Sequence, residues 1–481
     1  MKKLFSLCFT LLIVAAGYAQ DNKWTLQECV QHAIDNNISI KQTEIDQESA
    51  AIDRRAAIGS FLPRLNGSAN NNWNSGLTQN ITTGILETQT IRNSSYSITA
   101  GVRIFGGMAN IRTLDRSELS RIAADYNVAR LKDDIALNVA ISYLGVLLNK
   151  ESLKVLEAQN IVTQGQIEQT QQLVDGGVLP RGDLLEIQAT NASELQNIVA
   201  SQNAVTVSLI NLAQLLNVED YQNFDIAEQD YNLIGEEVLD NIPEVIIEKA
   251  KESRYDLRIA EQNLAIAEKD LQISKSSLLP TLDGFFNYNT REQGGAVSFN
   301  QGLDAANPFS TQTIGVVEGT GQNVITQVPN TIVTTTDLGF TEQLYLNDGI
   351  SYGLSLNVPI FNGWSVKNQV KRSELNVKQL EFVKQQAELD LETAVYQAYT
   401  DAKAAKEAFN AAQISVTSQD LAYEYATERY NAGLTNAFDF SQAKLRFDNA
   451  QIQLTQSKYD YIFRIKVLEL YFGVPATELK F

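Results

Sequence analysis

The chain carries an internal repeat, and the repeat limits what it can fold into. Ser60-Phe61-Leu62-Pro63-Arg64-Leu65 recurs as Ser277-Leu278-Leu279-Pro280-Thr281-Leu282, at an offset of 217. Ala33 pairs with Ala250 and Ala50 with Ala267 at the same offset. Ile104-Phe105-Gly106-Gly107 then recurs as Ile360-Phe361-Asn362-Gly363, at an offset of 256. That second offset persists: Tyr143 falls on Tyr399, Gly177 on Gly433, Asp183 on Asp439 and Asn217-Val218 on Gly473-Val474. The jump of 39 between the two offsets lies between Leu282 and Ile360, which makes it an insertion in the second copy. The division expected is a signal peptide over 1–19, a first structural repeat over 20–225 and a second over 226–481. The second contains an extended strand–strand loop, 294–348, rich in Gly, Thr, Asn and Gln.

Each copy reads as helix, two strands, long helix, turn, long helix. Trp24 to Ile58 and Ile242 to Ser276 carry spaced apolar residues with no proline in the helix interior. Gly349 to Ile360 alternates, with Ile350, Tyr352, Leu354, Leu356, Val358 and Ile360 on one side and Ser351, Gly353, Ser355 and Asn357 on the other. Tyr96 to Ile104 does the same in the first copy. Leu65–Trp73 and Leu282–Tyr288 are weaker strand candidates. From Val366 to Tyr430 there is neither proline nor glycine, so a helical rod of roughly 100 Å is expected. A seven-residue pattern rich in alanine (Ala387, Ala394, Ala398, Ala405, Ala408, Ala412) predicts close, supercoiled packing along it. Its first-copy partner runs from Met108 to Val174.

Composition narrows the function. Among 481 residues, 57 are acidic and 38 basic, for a net charge of −19, which argues against a nucleic-acid partner. Lys2 and Lys3, an apolar run from Leu4 to Ala16, and Gly17-Tyr18-Ala19 form an export signal cut before Gln20. Its removal takes Cys8 away and leaves Cys29 alone, so no internal disulfide is possible. No later stretch reads as apolar and long enough for a transmembrane helix. Any membrane-embedded part must therefore be β, and four strands per chain cannot close a barrel. Closure requires several copies. Trp73 and Tyr96 near strand ends fit an interfacial aromatic belt, or plain packing.

The ordered set of motifs resembles the TolC-type outer-membrane efflux factors. The match rests on Leu62-Pro63-Arg64-Leu65 and Leu279-Pro280-Thr281-Leu282 where strands start. Val102-Arg103-Ile104-Phe105-Gly106-Gly107 and Val358-Pro359-Ile360-Phe361-Asn362-Gly363 carry it where they end. Arg429-Tyr430-Asn431-Ala432-Gly433 with Asp439, and Gly177 with Asp183, carry it at the hairpin tips. The resemblance implies a mainly α chain with membrane β: four barrel strands, long coiled-coil hairpins and a trimeric barrel duct. It implies a homotrimer in outer-membrane lipid with a periplasmic helical tunnel. A periplasmic adaptor would dock at the tips around Gly177 and Gly433, and an inner-membrane pump of the resistance-nodulation-division or ABC type would drive it. It also implies a constriction built from Tyr430, Asp183 and Asp439, with Glu186 as a further acid. Thr435 stands where some members have arginine, and Gln442 where some have a second aspartate. Asp183-Leu184-Leu185-Glu186 and Asp439-Phe440-Ser441-Gln442 equally fit the capping-box pattern of a helix start, so a cap and a charged ring both remain open.

No enzyme and no cofactor are expected. Gly349-Ile350-Ser351-Tyr352-Gly353 spells a nucleophile-elbow pattern, but Ser351 falls inside an alternating strand and His32 is the only histidine. No histidine or methionine cluster marks a metal site. The competing reading is a structural coiled-coil protein of the envelope without channel activity, which the alternating strands disfavour.

Overall fold

The computed structural model describes residues 23–79, 85–228 and 235–474; the predicted signal peptide and Cys8 lie outside them. The chain forms two compact units. One holds the described residues up to 54, 116–268 and those from 374 on; the other holds 55–115 and 269–373.

The first unit is helical. It contains α1 (Leu26–Asn36), most of α2 (Ile38–Gly59), α5 (Pro243–Ser253) and most of α6 (Tyr255–Ser276). It also holds most of the two rods, α3 (Ala109–Asp175) and α8 (Ser365–Asn431), and both returning helices, α4 (Arg181–Leu216) and α9 (Ala437–Tyr471). Each rod is 67 residues long, about 100 Å. Two apolar cores form from equivalent residues. Cys29, Val30, Ala33 and Ile40 pack with Ile135 and Val139. Ile246, Ile247, Ala250 and Leu257 pack with Leu391 and Val395. Burial of Cys29 pushes its thiol up to about 12. Tyr143, fully buried, donates its hydroxyl to the carbonyls of Ala227 (2.8 Å) and Trp24 (3.2 Å), closing the chain start against the segment after α4. His32 is half-buried edge-on to Trp24, with ring centroids 4.9 Å apart, and serves packing.

The backbone repeats along with the residues. The long helices expected over 24–58 and 242–276 are each broken once, at Asn37 (ψ 129°) and Arg254 (ψ 126°). These positions are 217 apart. Asn37 ends α1 and restarts the chain by accepting the Ser39 amide on its own side chain at 2.9 Å. Gly107-Met108 and Gly363-Trp364 are paired left-handed turns, with φ of 61°, 65°, 63° and 64°. At Gly107 a Cβ would lie 2.7 Å from the Ser276 carbonyl, so glycine is required there. The α8 seam also differs from the expected one. Leu391, Val395, Ala398, Ala402, Ala405 and Ala412 are buried, whereas Ala394 is half-buried and Ala408 exposed. Both seams average 3.5 residues per turn, as a supercoiled helix requires, and the observed one shifts every second position on by one residue.

One helix corrects the expectation that no stretch is long and apolar enough to span a membrane. α4 meets that test by length and composition, and only 11% of its apolar window is buried within the chain. From Leu195 to Leu216 its polar residues are all uncharged, and Leu195, Val199 and Val207 stay exposed.

The second unit holds an antiparallel sheet of four strands in the order β1-β2-β3-β8. They are β1 (Arg64–Gln79), β2 (Leu86–Gly106), β3 (Thr281–Gln293) and β8 (Gly349–Asn357). The strands read as weak from sequence are 16 and 13 residues long. β8 stops at Asn357, short of the expected Ile360, because Pro359 offers no amide to the ladder. The 294–348 connection, expected as a loop, is mostly hydrogen-bonded. β4 (Val297–Leu303) pairs with β7 (Thr331–Asp337), and β5 (Phe309–Val316) with β6 (Asn323–Pro329). Asp304 and Asn330 join the two pairs through backbone bonds of 2.9 and 3.0 Å. Threonine and valine favour strands even where glycine obscures alternation. A seven-residue helix, α7 (Phe340–Leu346), follows.

Replacing Tyr143 by Phe takes its hydroxyl donor from the half-buried Ala227 carbonyl, while the Trp24 carbonyl keeps the Ala227 amide at 2.9 Å. The expected cost is about 1–3 kcal/mol, read as an earlier thermal loss of helical signal; an unchanged transition would mean the tyrosine only fills space.

Candidate hairpin-tip constriction

α3 and α8 end in the same way. Val178 N–H donates to the Leu173 carbonyl and Leu434 N–H to that of Arg429, both at 2.8 Å. Gly177 and Gly433 take the left-handed conformation this termination needs, with φ of 73° and 71°. No atom would meet a Cβ at either glycine, so the backbone angle alone selects them. The turn leaves Val178 and Leu434, which are equivalent, 64% and 70% exposed at the two tips.

The returning helices start three residues earlier than a capping box headed by aspartate would place them. The N-cap of α4 is Pro180, which has no side-chain cap, and that of α9 is Asn436, whose side chain accepts the Asp439 amide at 2.9 Å. Asp183 and Asp439 therefore stand at the third position after the N-cap and are not caps themselves, which corrects the capping-box reading. Each lies in the first turn, where the helix dipole favours negative charge. Asp439 is exposed and accepts the Thr435 hydroxyl at 3.1 Å; Asp183 is half-buried. Glu186 and Gln442, one turn further on, are both exposed.

Tyr430 sits differently from the other candidates. It is fully buried in the last turn of α8, its ring stacked on Phe440 with centroids 5.0 Å apart. Its hydroxyl pairs with that of Thr170 on α3 at 3.1 Å, and Ile187 and Ala437 complete the cluster. Burial pushes its phenol up; Asp183 adds to this and the Thr170 bond opposes it. Gln169 donates to the Asn431 side chain at 3.1 Å. Tyr430 thus bolts one hairpin to the other within the chain.

Beyond that bolt lies a buried ionic cluster that no sequence pattern had marked. Lys444 donates to Asp448 at 2.7 Å and to Glu194 at 2.8 Å, with side-chain exposures of 4%, 12% and 13%. Glu194 also accepts from Thr163 (2.8 Å) and Asn160 (3.0 Å). Burial pushes the Asp448 carboxyl up. Burial opposes the Lys444 charge, but its two carboxylate bonds outweigh that and hold the ammonium group charged. The only sequence signal was a Lys–Asp pair four residues apart in a helix.

The sequence profile of the outer membrane efflux protein family matches residues 29–218 and 336–473, most of the chain. The chain belongs to the outer membrane efflux protein family. It is 23% identical to the outer membrane protein TolC of Vibrio cholerae, over 99% of this chain and 97% of that protein. It is 22% identical to the outer membrane protein TolC of Escherichia coli, over 96% and 84%. Its fold superposes on the Campylobacter jejuni CmeC outer membrane channel with a TM-score of 0.74, at 17% identity, covering 93% of this chain and 85% of that one. As a member of this family the chain is an efflux channel of the outer membrane, with its helical part in the periplasm. The relatives are channels, not enzymes, and Ser351 lies inside β8 without the strand–turn–helix a nucleophile elbow needs. The family match skips 219–335, which contains β3 to β6.

Replacing Lys444 by Met leaves Glu194 and Asp448 buried without a cation. The expected cost is about 3–5 kcal/mol, seen as an earlier melting of the helical unit. A melting curve matching the parent would show that water already screens the cluster.

Proposed function

We propose that three copies of the chain form one passive exit duct. The observation that carries this reading is the open sheet. Among the described strands, β1 pairs only with β2 and β8 only with β3, so each copy has two unpaired edges. An unpaired edge in hydrocarbon costs several kcal/mol per group, and joining β8 of one copy to β1 of the next removes every edge. Three copies make a twelve-stranded barrel, within the size that encloses a lumen. The exposed apolar residues of α4 would be covered by a neighbouring copy in the same assembly. Residues 20–225 and 226–481 act as two copies of one building block, following a signal peptide over 1–19.

The duct has no engine of its own and works with a periplasmic adaptor and an inner-membrane pump. Val178 and Leu434, exposed beside Gly177 and Gly433, suit an apolar adaptor contact at the tips. The constriction is acidic: exposed Asp439 and Glu186 and half-buried Asp183 each occur three times in the assembly. Such a ring attracts cations and repels anions. Thr435 binds Asp439 within the chain, in place of a charged lock, and Gln442 leaves the ring thinner.

Mass measurement in detergent should return a trimer, and a monodisperse, detergent-free monomer would end the reading. Asp439→Asn separates the ring from helix stability, because Asn436 remains as the cap. Cation selectivity of single channels should fall while the trimer persists. Unchanged selectivity would remove Asp439 from the constriction.

A further inference from the structure

The register of the sheet gives it one face that is polar apart from Phe285, and one that is largely apolar. Ser97, Thr99, Asn287, Asn289, Ser351 and Ser355 share one side. Ile98, Val102, Tyr288, Ile350, Tyr352 and Leu354 share the other, and Tyr352 is 79% exposed. Beyond Tyr96 and Thr290, which pair with one another, the apolar side turns polar at Ser94 and Glu292.

α7 packs at this boundary, on the apolar side. Thr290 donates its hydroxyl to the Leu344 carbonyl at 2.7 Å, and the Phe340 ring meets Tyr96 edge-on at 6.3 Å. The helix is held tightly for its length. Gln343, 2% exposed, donates to the carbonyls of Gln293 (3.1 Å) and Leu338 (3.0 Å) and accepts the Gln293 amide (2.9 Å). Asn347 donates to the Arg291 carbonyl at 3.0 Å. The exposed side chains of α7 are Phe340 (46%), Tyr345 (81%) and Leu346 (63%), with the polar Thr341 and Glu342 beside them.

We propose that α7 is a membrane anchor whose Phe340, Tyr345 and Leu346 lie in the headgroup zone of the outer leaflet. The proposal rests on reading the sheet as a barrel wall with its apolar face toward lipid. It follows from continuity with that face, since a helix clamped on the lipid side at the polar boundary meets headgroups. Tyrosine with apolar neighbours suits that layer, where one end of the ring is wet and the other dry. Trp73, 65% exposed and opposite Arg92 on the same side, extends the aromatic belt along β1. The anchor sits where β7 returns to the sheet, so it holds the root of the β4–β7 ribbon against the membrane.

The test uses the full-length protein in phosphatidylcholine vesicles, with a nitroxide on a cysteine introduced at one site at a time: Tyr345→Cys, Leu354→Cys on the apolar face, or Ile325→Cys on the ribbon. Native Cys29 is fully buried, and Tyr345 is exposed enough for the substitution to spare the fold. Collisions with oxygen and with a water-soluble nickel chelate report depth. The label at 345 should show several-fold less nickel contact than that at 325 and lie shallower than that at 354. If 345 behaves like 325 while 354 reports lipid, the anchor is overturned and the barrel wall stands. If 345 is shielded from both reagents, a neighbouring copy covers α7 and the anchor is again overturned. If 354 itself reports water, the barrel-wall reading falls and takes the anchor with it.

Discussion

An unpaired β-strand edge has no place in hydrocarbon, and much of this protein follows from that constraint. Every backbone amide in a membrane needs a partner, because water is absent there. One chain supplies four strands and leaves the outer edges of β1 and β8 open. The sheet alternates a polar face, with Ser97, Asn287 and Ser351, and an apolar face, with Ile98, Tyr288 and Tyr352. Closing such a sheet places the first set in a lumen and the second in lipid. In the proposed trimer, assembly therefore completes the fold itself.

The helical unit meets a different demand, which is to hold long rods in register. Duplication supplies two equivalent cores, one around Cys29 and Ile135 and one around Ile246 and Leu391. Near the tips the two hairpins are no longer alike. Tyr430 has its own bolt to Thr170, and the Lys444 cluster ties α9 to α4. A buried ion pair adds little net stability compared with apolar packing, yet it penalises any sliding that would part its members. These contacts set the relative register of the two hairpins at the tips, the end proposed to form the constriction.

Elements that depend on local pattern were legible in the sequence. The 217 and 256 offsets mark equivalent breaks at Asn37 and Arg254 and equivalent turns at Gly177 and Gly433. Alternation exposed β2 and β8. Features set by longer-range contacts or by competing local signals were hidden. The β4–β7 ribbon was masked because Gly302 and Gly315 interrupt its alternation, while its pairing spans up to about 40 residues. The helix starts at Pro180 and Asn436 were missed because Asp-x-x-Glu and Asp-x-x-Gln offered a competing pattern one turn later. The Lys444–Glu194 pair joins residues 250 apart, which no local reading connects.

Disulfide trapping across the open edges tests the central claim most directly. Cysteines placed along β1, from Asn66 to Asn72, and along β8, from Ser351 to Ser355, are combined pairwise in the full-length protein and oxidised in the membrane. The account predicts that at least one register yields a covalent ladder ending at three copies, with single-cysteine controls giving none. If every register yields only monomer, or only a bond within one chain, β8 does not meet a neighbour's β1, and the shared barrel is contradicted.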